Sequence, residues 1–264
     1  ARLGAARDGM GETFAAWGAF SAFGGSLAGQ RATLLGVDAG MRMRMLEVLD
    51  VDLEWGFVYA NARVQGLRPT DDGGEEAYEA DVERVQAGNP TFTLRFHTDH
   101  EAGFYVQAGL GASVPMTSQA QVPGPRSTAG SHAERLASVT MLDAWLAMNG
   151  GWSPWRYLPE RFSLFAPIRV GGSAGLFGWS IDAALGLGVG VLGGRRDTDA
   201  MLQLAGDVAF EIVPELRAGA RLGVSAWALG TDVAEAQPFA ERWVRLCLGP
   251  FFAMEKPTVT IEAR

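Results

Sequence analysis

Two stretches of this chain alternate almost without error. In Leu35-Gly36-Val37-Asp38-Ala39-Gly40-Met41-Arg42-Met43-Arg44-Met45 and in Phe177-Gly178-Trp179-Ser180-Ile181-Asp182-Ala183-Ala184-Leu185-Gly186-Leu187-Gly188-Val189, every odd position is apolar and every even one is Gly, Ala, Ser, Asp or Arg. A period of two belongs to a strand, whose successive side chains point to opposite faces. The polar face of a strand in a water-soluble sandwich usually carries Lys, Thr, Glu and Ser. Small residues and charges opposite an unbroken apolar band predict a closed membrane barrel, with lipid outside and a crowded lumen inside.

Further runs of the same period, punctuated by turn residues, predict strands at about 13–23, 33–45, 50–64, 91–98, 104–114, 161–170, 176–192, 201–212, 216–229 and 241–252, with another starting at Thr258. Short links (Asp99–Gly103, Gly171–Ala174, Val213-Pro214-Glu215, Ala253–Pro257, and about five residues after Met45) alternate with long ones (Gly24–Ala32, Gly66–Pro90, Pro115–Glu160, Gly193–Ala200, Gly230–Ala240). The expected fold class is an all-β, antiparallel, up-and-down transmembrane barrel of about 12 strands. It would form a single domain over residues 1–264, with its last, closing strand beyond Arg264 and its first end periplasmic. Residues 66–90 read as an acidic outer loop holding Asp71, Asp72, Glu75, Glu76, Glu79, Asp81 and Glu83. It is either solvated or a vestibule that attracts cations. Residues 115–160 read as a second outer loop carrying one short helix, about 132–148. There Ser131 and Glu134 fit a capping box, and Leu136, Val139, Leu142, Trp145 and Leu146 recur at helical spacing before Gly150-Gly151. That helix is a candidate gate or plug, marked by Glu134, Leu136 and Trp145.

Antiparallel pairing about a turn centred near Val48 sets Arg42 opposite Glu54 and Arg44 opposite Asp52, with Met43 against Leu53 and Met41 against Trp55 on the other face. A turn at Pro214 sets Glu211 opposite Arg217 and Asp207 opposite Arg221. A pairing of Arg245 with Glu262 can also be drawn. An arginine on the lipid face at mid-membrane costs about 2–4 kcal/mol, so these charges belong on the inner side. The expected lumen lining is Arg42, Arg44, Asp52, Glu54, Arg95, Asp182, Asp207, Glu211, Arg217, Arg221 and Arg245, with Arg169, His97, Tyr105 and Gln107 as further members. Such pairs either knit the wall and fill the interior or line a constriction with both signs. Trp55 and Trp179 lie on the apolar side, as an interfacial girdle requires, whereas Trp227 falls on the polar side. Trp152-Ser153-Pro154-Trp155 is expected to anchor the following strand at the outer interface.

Composition narrows the function classes. A formal charge of −8 argues against nucleic-acid binding, and the single Cys247 excludes an intramolecular disulfide framework and a cysteine-based metal site. No apolar run is long enough for a spanning helix, and the first residues have no signal-peptide core, so a secreted protein would be in its trimmed form. No HExxH occurs. His97-Thr98-Asp99-His100 reads as a solvated turn rather than a metal site, and His132 beside Ser131 as part of a helix start. No catalytic residue, cofactor or metal is expected.

The stretch Gly88-Asn89-Pro90-Thr91-Phe92-Thr93-Leu94 resembles the Gly/Asn/Pro lead-in to a strand in transporter-type outer-membrane barrels, among them the porin-like family associated with uptake of aromatic compounds. Gly150-Gly151-Trp152-Ser153-Pro154-Trp155 with Arg161-Phe162-Ser163-Leu164, and Gln203-Leu204-Ala205-Gly206-Asp207, are similar to uncharacterised barrels of that type. The likeness runs from Gly88 to the C-terminus, although Arg264 stands where such barrels end in an aromatic residue. The resemblance implies a Gram-negative outer membrane and passive or substrate-selective passage of small solutes. Lipid and small molecules would be the partners, with a possible protein partner at the outer loops. Two other expectations stand beside the channel: a structural or interaction barrel closed by its own ion pairs, and a soluble ligand-binding barrel or sandwich.

Overall fold

The computed structural model describes residues 14–27, 30–69, 74–100, 103–117, 140, 153–158, 160–191, 198–213, 216–228, 242–256 and 259–263. Twelve strands make one antiparallel sheet: β1 (Phe14–Leu27), β2 (Gln30–Leu46), β3 (Leu49–Pro69), β4 (Glu75–Ala87), β5 (Thr91–His100), β6 (Phe104–Ser113), β7 (Arg161–Ala174), β8 (Phe177–Gly190), β9 (Thr198–Val213), β10 (Leu216–Ala228), β11 (Arg242–Lys256) and β12 (Val259–Ala263). Each strand pairs with the next along the chain, except that β3 pairs with both β4 and β5. The two ends of this path, β1 and β12, come within 8 Å, Cα to Cα, without a hydrogen-bonded register, so the sheet is not closed.

The alternation has its expected consequence. Along β2 the odd residues Leu35, Val37, Met41, Met43 and Met45 are exposed, while Leu34, Asp38 and their even neighbours are buried or half-buried. The same division runs through β3 (Leu53, Trp55 and Phe57 out), β5 (Phe92, Leu94 and Phe96 out), β8 (Ile181, Leu185 and Leu187 out) and β9 (Leu202, Leu204, Val208 and Phe210 out). Around the buried charges the usual polarity of a globular protein is inverted: charged and amide side chains such as Asp50, Asp182, Gln203 and Asp207 are buried and most large aliphatic ones face outward, while Leu34, Val58, Val64, Val82 and Leu158 form a smaller apolar interior. The outer apolar run on β2, Leu35–Met45, covers eleven residues, or ten steps; at about 3.3 Å per step and a tilt near 40° it spans roughly 25 Å. Above it the same face turns polar at Arg31, Asn61, Arg63, Asp81 and Glu83.

The described residues hold twelve strands, one more than the alternation marks out. The additional one is β4, inside the segment expected as an acidic outer loop. Residues 49–69 climb as one 21-residue strand and return as β4, so most of 66–90 belongs to a tall hairpin. Its outer face places Glu79, Asp81 and Glu83 around Arg63 and Tyr59. Arg63 Nε donates to Asp81 at 2.7 Å and holds that carboxyl below its ordinary range, and Tyr59 donates to Glu83 at 2.9 Å. Alternation was masked there because both faces of β4 carry charge. The β1–β2 connection is likewise tighter than expected, since β1 runs to Leu27 and β2 starts at Gln30. The β7–β8 turn falls at Gly175-Leu176 rather than 171–174, with Gly175 at φ +60°, where glycine is favoured.

The β2–β3 register differs from the expected one by two residues. Arg42 lies opposite Asp52 and Arg44 opposite Asp50, while Met41 faces Leu53 and Met43 faces Val51. A tight turn at Glu47-Val48 and an irregularity between Arg44 and Leu46 move the centre toward β2. Arg217 and Arg221 do lie opposite Glu211 and Asp207. The Arg245–Glu262 pairing is wrong, because Arg245 lies opposite Ser225 and Glu262 opposite Ala253. In a Cys247→Ser background, cysteines at 41 and 53 are expected to form a disulfide. Cysteines at 41 and 55, diagonal at about 7–8 Å, are expected to stay reduced. Gel mobility after mild oxidation reads the difference, and the reverse outcome would restore the earlier register.

Candidate functional site: a charged belt and an interior strap

Polar side chains on the inner face join into a belt across the wall from β2 to β10. Arg42 grips Asp52 through Nε (2.6 Å) and Nη2 (3.2 Å), and Arg95 reaches the same carboxylate at 2.7 Å. Asp50 receives Arg44 Nε at 3.4 Å and lies 3.3 Å from His97 Nδ1. Arg95 Nη1 donates to Gln107 on β6 at 3.1 Å, and Gln107 stands opposite Arg169 on β7. Arg169 pairs with Asp182 at 3.2 Å and donates to Ser180, which donates to Asp207 at 3.2 Å. Arg221 closes the series on Asp207 at 3.3 Å and lies 3.7 Å from Asp182 on the next strand but one. Each residue sits on the inner parity of its strand, and its partner is supplied by the register.

A second device fills the space nearer the long links. Residues 153–158, with a short 3-10 turn at Pro154–Arg156, form a strap against the concave inner face. The chain turns into and out of it through left-handed residues, Ser153 (φ 55°) and Glu160 (φ 59°). Their backbone amides are satisfied by Gln203 Oε1 at 3.2 Å and by the Thr117 carbonyl at 2.8 Å. On one side Arg156 Nη2 donates to Asp38 on β2 at 2.7 Å, Tyr157 donates to the same carboxylate at 3.4 Å, and Arg156 lies 4.0 Å from Glu54. On the other, Trp155 stacks on Phe165 of β7 (centroids 4.3 Å, 7° between planes) and lies over Gly186 of β8. One six-residue segment therefore touches strands from β2 to β9, which requires a sheet curved around it.

Glycines on the inner parity make the strap fit. A Cβ on Gly56 would overlap the Asp38 carboxylate that holds Arg156, and one on Gly111 would overlap the Phe165 ring. Gly186 and Gly188 open a slot on β8 for Trp155 and Leu158. Beside it Arg161 and Asp199, among the most deeply buried side chains, pair from β7 to β9. The Gly88-Asn89-Pro90 break between β4 and β5 clamps the strap from the side. Asn89 Nδ2 donates to the carbonyls of Trp155 (3.0 Å) and Leu158 (2.8 Å), and its Oδ1 accepts from the amides of Met116 and Thr117, both at 2.8 Å.

Of the expected lining, Arg42, Arg44, Asp52, Arg95, Asp182, Asp207 and Arg221 meet in the belt, with Arg169, His97 and Gln107; Tyr105 is buried on the same face against Gly171. Glu54 lies higher, beside Arg156, and Glu211 faces Arg217 near the β9–β10 turn. The side chains of Arg245 and Trp227, and Glu134, Leu136 and Trp145 with most of the 132–148 helix, lie outside the described residues; Thr140 within it is buried. Two readings change. Trp155 is buried against the inner face of the sheet, where Phe165 and two glycines offer it a slot, rather than standing at an outer interface. His97 is buried within strand β5 rather than solvated in a turn. Sequence reading missed Asp38, Asp50, Asn89, Arg156, Tyr157, Ser180, Asp199 and Gln203. Asp38, Asp50, Ser180 and Gln203 carried a signal, the parity of their strands, and Asn89 stood in a stretch marked only by its resemblance to other barrels. No group of three or more His, Cys, Asp or Glu side chains converges on a possible metal position among the described residues.

Comparison with known protein families and with curated proteins finds no match to this chain. Asn89→Asp, nearly isosteric, removes the donor to two buried carbonyls, at about 1–3 kcal/mol each. It is expected to lower unfolding stability by a few kcal/mol in a denaturant titration; an unchanged midpoint would remove the clamp from the account.

Proposed function

We propose that the chain is an outer-membrane β-barrel of the porin-like type, a channel or transporter for small solutes whose lumen is lined by the charged belt and narrowed by the 153–158 strap. The observation that carries this reading is the outer face. Monomeric water-soluble proteins rarely expose apolar patches beyond a few hundred Å². Here large aliphatic and aromatic side chains stand exposed on nearly every strand of the path, in a band about as tall as the hydrocarbon layer crossed by outer-membrane barrels. Aromatic residues near the short turns (Phe104, Trp179, Phe177 and Phe210) and Trp55 with Phe57 higher up support interfacial anchoring at two levels. The partners are lipid and small solutes, and the acidic β3–β4 hairpin extends beyond the apolar band, where an outside protein can reach it.

The belt and strap also favour a second reading, a structural barrel whose interior is sealed by its own ion pairs. Bilayer recordings separate the two. As a channel, the protein conducts, and a variant that releases the strap from β2 (Asp38→Asn with Arg156→Gln) while keeping its Asn89 hydrogen bonds has larger unit conductance or open probability. Silence of the wild type and of this variant, with folding verified by heat-modifiable migration, would favour the sealed barrel. Membrane assembly is tested on the wall. Met41→Arg, near the middle of the outer apolar run, is expected to weaken insertion by about 2–4 kcal/mol, whereas Met41→Leu leaves it intact. Equal yields in outer-membrane fractions would overturn the membrane reading.

A further inference from the structure

The belt is nearly balanced in formal charge, but its two signs are not equally accessible. At the β2–β3–β5 side the carboxylates of Asp50 and Asp52 are only 5% and 6% exposed, while the guanidinium side chains of Arg42, Arg44 and Arg95 are 22%, 22% and 21% exposed. Short aspartates stay at the wall and the longer arginines cover them, so the interior surface here is made of guanidinium edges. Three arginines share two carboxylates, with His97 against Asp50. Arg42 spends Nε and Nη2 on Asp52, and Arg44 spends Nε on Asp50 and Nη2 on His97, which leaves Nη1 of each to donate elsewhere. The nearest accessible carboxylate of opposite effect is Glu54, 32% exposed, one inner position above Asp52 and 4.0 Å from Arg156. Across the lumen Asp182 and Asp207 are covered by Arg169 and Arg221.

We infer that Arg42, Arg44 and Arg95 form an anion-accepting site in the lumen, fitted to a small oxyanion, a carboxylate or a phosphate. Planar guanidiniums recognise such groups through paired N–H donors. Their own aspartates hold them in place and offset their mutual repulsion. This inference rests on the channel reading for its role in transport, though not for the binding itself. As a channel, the protein would favour anions over cations despite its overall charge of −8, because a permeating ion meets the local lining before the formal sum.

The full chain, purified and verified by heat-modifiable migration, is titrated with inorganic phosphate while its thermal midpoint is followed, and is then recorded in a planar bilayer under a KCl gradient. Phosphate is expected to raise the midpoint of the wild type. Arg44→Gln is expected to weaken the apparent phosphate affinity by roughly tenfold. Glu54→Gln leaves every belt pair intact and is expected to strengthen it. The reversal potential is expected to show chloride preferred over potassium, less so in Arg44→Gln and more so in Glu54→Gln. A folded wild type whose midpoint ignores phosphate, or a conducting one that prefers potassium, would overturn the inference. A phosphate response that Glu54→Gln strengthens, in a protein that never conducts, would support the site and sink the channel reading instead.

Discussion

Charges on the inner face of this sheet must neutralise one another, because the outer face offers them nothing but side-chain hydrocarbon. That constraint organises the molecule. Removing one partner of a buried ion pair costs about 3–5 kcal/mol, far more than the pair contributes when intact. Each arginine of the wall therefore depends on an aspartate one strand away, or two in the cases of Arg221 with Asp182 and Arg161 with Asp199. Register and electrostatics become one problem. A one-residue slip of any strand would turn its charges outward and its aliphatic residues inward, and a two-residue slip would break the belt while keeping the faces.

The belt would tie together a hollow sheet; the strap makes it a filled one. Arg156 does on the β2 side what Trp155 does on the β7–β8 side. The first inserts into a carboxylate that only a glycine at position 56 lets approach, and the second into a slot that only glycines at 111 and 186 leave open, with Phe165 as its stacking partner. Gly88, Gly186 and Gly188 leave room for this second layer of chain, while Gly56, Gly66, Gly111 and Gly171 give way to side chains of the wall itself. Asn89 then joins both ends of the β6–β7 link to the corner between β4 and β5, so the strap is held by hydrogen bonds that do not depend on its ion pair.

How much of this could be read beforehand differs by residue. Strand faces, the inward Arg42, Arg44, Arg95, Asp182 and Arg221, and the Glu211–Arg217 and Asp207–Arg221 registers were legible, since period two and a turn centre define them. The β2–β3 register was not. Its turn lies two residues tighter and includes an irregularity, and both alternatives put an arginine opposite an acid. The β4 strand escaped because both of its faces are charged, which hides the period. Asn89 stood in a Gly/Asn/Pro stretch that was noticed for its likeness to other barrels. Its four hydrogen bonds join segments about 27 and 66 residues away, and no local pattern encodes them.

Alternation alone determined which side chains share a face, and with it the inverted polarity of this protein, because backbone pleating gives every residue its side without reference to any other. Tertiary structure decided which charges meet and what fills the interior. Cross-strand register and the path of residues 153–158 depend on contacts between distant segments, and in those contacts it is the space left by glycines, rather than any pattern along the chain, that selects the partners.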